Sequence, residues 1–131
     1  MAEIDAKVVM NLRNKTGLSM MECKKALQEC EGNLQQAEEL LFKKLKGKMD
    51  TRTDRTAGEG RIAVAVSGDG RAAAIVELRA ETDFTAKNEA FLNAVKQIAD
   101  LAVAEKTGSV SPTAAMTKLV DNLRISTGEN I

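Results

Sequence analysis

The apolar positions of this chain change period partway along, and that change divides it. From residue 4 to residue 47 they recur at helical spacing in three blocks. Ile4, Val8, Val9 and Leu12 make the stripe of a first helix, with Gly17 as a left-handed cap beyond its end. Ser19 opens a second helix with Glu22 three residues on, the spacing of a capping box, and Met20, Ala26, Leu27 and Cys30 are its apolar positions before Gly32. Asn33 caps a third, with Gln36 as the returning side chain and Leu34, Ala37, Leu40 and Leu41 as its stripe before Gly47. Three helices of roughly three turns each form a bundle close to the lower size limit for independent folding. Residues 48–60 lose the periodicity and read as a linker. With Lys43, Lys44 and Lys46 they make a basic stretch that fits a solvated tether better than a phosphate-binding patch.

From Arg61 the period is two. Ile62, Val64 and Val66 alternate with smaller residues, Gly68-Asp69-Gly70 supplies a turn, and Ala74, Val76, Leu78 and Ala80 alternate with Ile75, Glu77, Arg79 and Glu81. This predicts a β-hairpin with one buried face. Thr82 or Asp83 then caps a helical turn. An amphipathic helix follows on Phe91, Val95, Ile98 and Ala102, ending near Thr107-Gly108. Ser111-Pro112 restarts a last helix through Met116, Leu119, Val120 and Leu123. The fold class is α+β: a three-helix domain over 1–47, a linker over 48–60, and a hairpin backed by two helices over 61–131. A two-stranded hairpin has two open edges, so a further segment, a partner or a second copy is expected to cover it.

Composition narrows the chemistry. Lys plus Arg and Asp plus Glu are 19 each, so no basic bias favours a nucleic-acid partner. The absence of histidine removes the commonest neutral-pH general base and metal ligand. Cys23 and Cys30, seven apart on a helical pattern, are too distant for an unstrained disulfide and too few for zinc, which fits reduced thiols in a cytoplasmic protein. No segment approaches the length of a membrane span, and no cofactor is expected. Glu77, Glu81, Asp83 and Glu89 are better explained as exposed charges than as a metal cluster. Phe84, flanked by Thr82, Asp83 and Thr85, stands apart from Phe42 and Phe91, which lie in apolar helical patterns. It is either the first core contact of the following helix or a side chain held out for a partner, and composition alone favours the core.

Two motifs carry a family resemblance. Val9-Met10-Asn11-Leu12-Arg13, Thr16-Gly17 and Met20-Met21-Glu22-Cys23-Lys24-Lys25-Ala26-Leu27 form one; Glu81-Thr82-Asp83-Phe84-Thr85-Ala86-Lys87-Asn88-Glu89 forms the other. In this order they resemble the signatures of elongation factor Ts, the guanine-nucleotide exchange factor for elongation factor Tu, with Thr85 in place of the usual valine. The resemblance implies a ubiquitin-associated-like N-terminal domain and a partial core domain that stops near Gly128-Glu129-Asn130-Ile131, where the family enters its next strand. It also implies that the chain is not an enzyme and acts in translation. Phe84, with Thr82 and Thr85 beside it, would wedge into the G domain of elongation factor Tu, and Asp83 would help dislodge Mg²⁺. Leu12, Arg13, Met20, Met21 and Lys24 would contact the same domain. Direct nucleic-acid and membrane contacts are not implied, and homodimerisation through the partial core is left open. The alternative from another class is an adaptor that binds a helical or ubiquitin-like partner through the three-helix domain, without exchange activity.

Overall fold

A computed structural model describes residues 3–131. The chain forms two units divided after Thr51. The first holds α1 (Ala6–Thr16), α2 (Met20–Glu29) and α3 (Leu34–Asp50). Asp5 caps α1 by accepting the Lys7 amide at 2.9 Å, so the helix starts after Ile4 although Ile4 still packs against the core. The Ser19–Glu22 capping box forms in both directions, and Asn33 accepts from the Gln36 amide. The end of α2 differs from the expected glycine stop. Two left-handed residues end it in succession, Glu31 at φ 52° and then Gly32 at φ 85°, and the Gly32 amide donates to the Leu27 carbonyl at 2.8 Å.

The third helix runs three residues past Gly47, to Asp50. A glycine inside a helix costs only about 1 kcal/mol relative to alanine, too little to stop a helix whose next residues are helix formers. The bundle core is Val9, Leu12, Cys23, Ala26, Leu27, Ala37 and Leu41. All but Cys23 belong to the predicted stripes; Cys23 joins them as a small apolar side chain.

The second unit contains β1 (Glu59–Val66), β2 (Ala73–Ala80), α4 (Asp83–Lys87), α5 (Glu89–Val103) and α6 (Ala114–Thr127). The strands pair antiparallel in the register Val64 to Ile75 and Ala65 to Ala74. Cross-strand partners share a face, so Ala63, Ala65, Val76 and Leu78 lie together, and these pack into the core. Ile62, Val64 and Val66 therefore point the other way, with Ile75, and are more than three-fifths exposed. Burying the larger residues of β1 would be the simple expectation. The register is instead set by β2, whose Val76, Leu78 and Ala80 occupy the core, and β1 meets them with its alanines.

The long helix ends at Val103 rather than near Thr107, because residues 104–110 are all exposed and give it nothing to pack. Thr113, not Ser111, caps α6: its hydroxyl accepts the Met116 amide at 3.3 Å, and Pro112 precedes the cap. Phe91 is completely buried at the centre of the core, among Val95, Ile98, Ala102, Met116 and Leu123. No helix of the described residues is long and apolar enough to cross a membrane.

Candidate functional site

Between β2 and α5 the chain makes one short helical turn, and its sequence explains which way each side chain faces. Thr82 is extended and its hydroxyl accepts the Thr85 amide at 3.3 Å, which starts α4. Asn88 ends α4 and begins α5, accepting the Ala90 amide at 2.9 Å. Inside this turn Ala86 is buried against the core. Phe84 lies two positions earlier, about 200° round the helix axis, and so points outward. It is 84% exposed. The inward packing favoured by composition does not occur, because Ala86 and Phe91 take the core positions on either side of the junction.

Asp83 is exposed and bonds Lys87 one turn on, at 3.0 Å. That hydrogen bond and the Lys87 charge hold the Asp83 carboxyl below the ordinary aspartate range, with a smaller contribution from the Phe84 amide. Thr85 is half-buried. The structure thus brings Thr82, Asp83, Phe84 and Thr85 together on one capped turn.

In the first unit Arg13 and Lys24 are exposed, Met20 is 39% exposed and Met21 82%. Met20 and Lys24 are four apart and share a flank of α2. Leu12 departs from the expected contact set. It is fully buried in the bundle, because it is the last inward position of the α1 stripe, and it offers no surface to a partner in this structure.

Sequence reasoning missed two residues that hold the start of the turn. The Thr82 hydroxyl donates to Glu129 at 2.7 Å, and the Asn130 amide donates to Glu81 at 2.8 Å. Neither has a local signal, since each bond joins positions nearly fifty residues apart. Among the described residues no group of three or more Cys, Asp or Glu side chains is arranged to hold a metal ion. A groove of about 880 Å³ follows β2, lined by residues 72–78 and by Ile98, Met116 and Val120. The Asp121–Arg124 ion pair in its wall is closed at 3.0 Å.

The α+β unit carries an exposed aromatic on a capped turn, and the helical bundle carries exposed methionines; large apolar side chains held at a surface define the class of proteins that present apolar contacts to other proteins. Comparison with known proteins gives this class a relationship. The chain is 46% identical to elongation factor Ts of Methylobacillus flagellatus over 88% of its length, and 43% identical to that of Nitrosospira multiformis over all of it. It is 49% identical to elongation factor Ts of Arthrospira platensis over 79%. No family model matches the chain. Identity at this level over nearly every residue is homology: the chain is related to elongation factor Ts, and it spans about two-fifths of the length of these relatives.

Proposed function

We propose that the chain is a translation elongation factor that binds elongation factor Tu·GDP in the cytoplasm and promotes GDP release. The observation that carries the reading is Phe84, the large apolar side chain with the greatest exposure among the described residues, mounted on a turn whose other face is anchored by Ala86. In this reading Phe84 enters the partner's G domain, with Thr82 and Thr85 shaping its mount, and Asp83 approaches the bound Mg²⁺. Arg13, Met20, Met21 and Lys24 supply a second contact to the same domain.

No bond is made or broken by this protein. An exchange factor needs only to bind the nucleotide-free partner more tightly than the loaded one, and linkage then weakens nucleotide by the same factor. Burial of a phenylalanine side chain contributes roughly 1.5–3 kcal/mol, on the order of tenfold to over a hundredfold in that ratio. Displacing Mg²⁺ from the phosphates adds to it. Because Asp83 is ionised across the neutral range, it reaches the cation as a carboxylate once it leaves Lys87. Neither nucleic acid nor membrane is contacted directly.

Stopped-flow release of a fluorescent GDP from elongation factor Tu tests this. The wild-type chain should accelerate release and Phe84→Ala should lose most of the acceleration; equal acceleration by the two would rule out the wedge. A second reading rests on Met21, 82% exposed on α2: an adaptor that binds a helical or ubiquitin-like partner through the bundle. It requires that no GDP release be accelerated.

A further inference from the structure

We propose that Glu129 is a positioning residue for the Phe84-bearing turn, an inference that rests on the exchange reading for its functional consequence. Helix α4 has five residues and a single buried side chain, Ala86. A helix this short does not hold its own shape, since nucleation is unfavourable and few intrahelical bonds follow it. Its order must come from what grips its ends. At the far end the Arg61 side chain donates to the Ala86 carbonyl at 3.1 Å. At the near end the grip is Thr82, and Thr82 is itself held by Glu129.

The geometry at Thr82 explains the coupling. Its hydroxyl donates to Oε1 of Glu129 at 2.7 Å, with Oε2 at 3.3 Å, while the same oxygen accepts the Thr85 amide at 3.3 Å. A hydroxyl has one proton. Directing that proton to a carboxylate leaves the lone pairs facing the first turn of α4, and the charged acceptor strengthens the bond. Glu129 is nearly fully buried, so the carboxylate is not free to swing away. Its own segment is fixed on both sides. The Gly128 carbonyl accepts from Arg52 at 2.6 Å, the Asn130 side chain donates to the Arg55 and Thr53 carbonyls, and the Asn130 amide donates to Glu81. Residues 128–130 thus form a strap that reaches the cap of α4 through the Glu129 carboxylate. A wedge held in its docking geometry before contact loses less freedom on binding than one that must be ordered there.

The test uses the full chain with Glu129→Ala, Glu129→Leu and Glu129→Gln; leucine fills the site without an acceptor, and glutamine keeps an acceptor oxygen without the charge. In the free protein, amide hydrogen exchange at Thr85, Ala86 and Lys87 should quicken roughly 3- to 30-fold in the alanine and leucine variants, the range set by loss of a cap. Exchange at Val95–Ala99 in α5 should hold. Acceleration of GDP release from elongation factor Tu should fall by a similar factor, and Glu129→Gln should recover both readouts. A role confined to general stability would instead quicken α5 together with α4, and that result overturns the proposal. Unchanged exchange at Thr85–Lys87 also overturns it, as does undiminished GDP release by Glu129→Ala where Phe84→Ala has lost it. If the wild-type chain releases no GDP, the exchange reading is what fails, and the amide exchange pattern alone decides whether Glu129 positions the turn.

Discussion

Alanine at Phe91 and alanine at Phe84 remove the same atoms from positions seven apart, and the structure separates their costs. Phe91 is completely buried among α5, α6 and β2 residues, so its truncation loses transfer free energy and leaves a cavity, at a cost of about 3–5 kcal/mol. Residues 52–131, about 80 in all, are expected to have only some 4–12 kcal/mol of total stability. Phe91→Ala should therefore leave the second unit marginal or unfolded at 37 °C. Phe84, 84% exposed, has little packing to lose, and Phe84→Ala should change stability by less than about 0.5 kcal/mol. The chain has no tryptophan or tyrosine, so urea unfolding is best followed by far-UV circular dichroism, with amide exchange at Val95–Ala99 assigning the change to the second unit. If Phe84→Ala shifted the midpoint as far as Phe91→Ala, Phe84 would be a core residue and not a side chain held in solvent.

Three further outcomes are expected. The orientation of β1 implies that Val64→Thr changes stability by within about 0.5 kcal/mol, whereas Ala65→Leu overpacks the face against α5 and costs about 1–3 kcal/mol; urea midpoints in the opposite order would put the face the other way. Ser19→Ala removes the hydroxyl that accepts the Glu22 amide, leaving the bond from the residue-19 amide to the Glu22 carboxylate, and should destabilise α2 by about 1 kcal/mol, read as faster amide exchange at Cys23, Ala26 and Leu27 with no change in the second unit. The carboxyl of Asp83 should titrate below the ordinary aspartate value in a carbon-detected NMR experiment, and Lys87→Ala should bring it back up. The sign follows from the lowered folded-state value. The stabilisation contributed by the Asp83–Lys87 pair is present above the unfolded-state value and is lost as pH falls through the lowered one, so it is intact at neutral pH.

The helices of the first unit were legible because their punctuation is local. Ser19 and Glu22 cap α2 through bonds three residues apart, and the stripe ending in Leu12 gives the inward face of α1 directly. That same legibility sets a limit, since a motif that resembles a contact set also includes residues of the core, and Leu12 is buried there. The hairpin was legible as a hairpin but not in its facing. A period of two describes Ile62, Val64 and Val66 as well as Ala63 and Ala65; which set turns inward depends on the register with β2, a pairing that no single strand encodes. For Phe84 the local pattern favoured the core, and its exposure follows from Ala86 and Phe91 filling the positions around it. The grip of Glu129 on Thr82 spans 47 residues and was invisible in the sequence.

On the exchange reading, the exposed Phe84 makes the chain discriminate between the nucleotide-free and GDP-loaded states of elongation factor Tu. Titration calorimetry of the chain against elongation factor Tu in both states, with wild type and Phe84→Ala, measures that ratio directly. The wild-type chain should bind the nucleotide-free form more tightly, and Phe84→Ala should shrink the ratio by about tenfold or more, in line with the burial of one phenylalanine. Equal affinity of the wild-type chain for the two states, or a ratio untouched by Phe84→Ala, would contradict it.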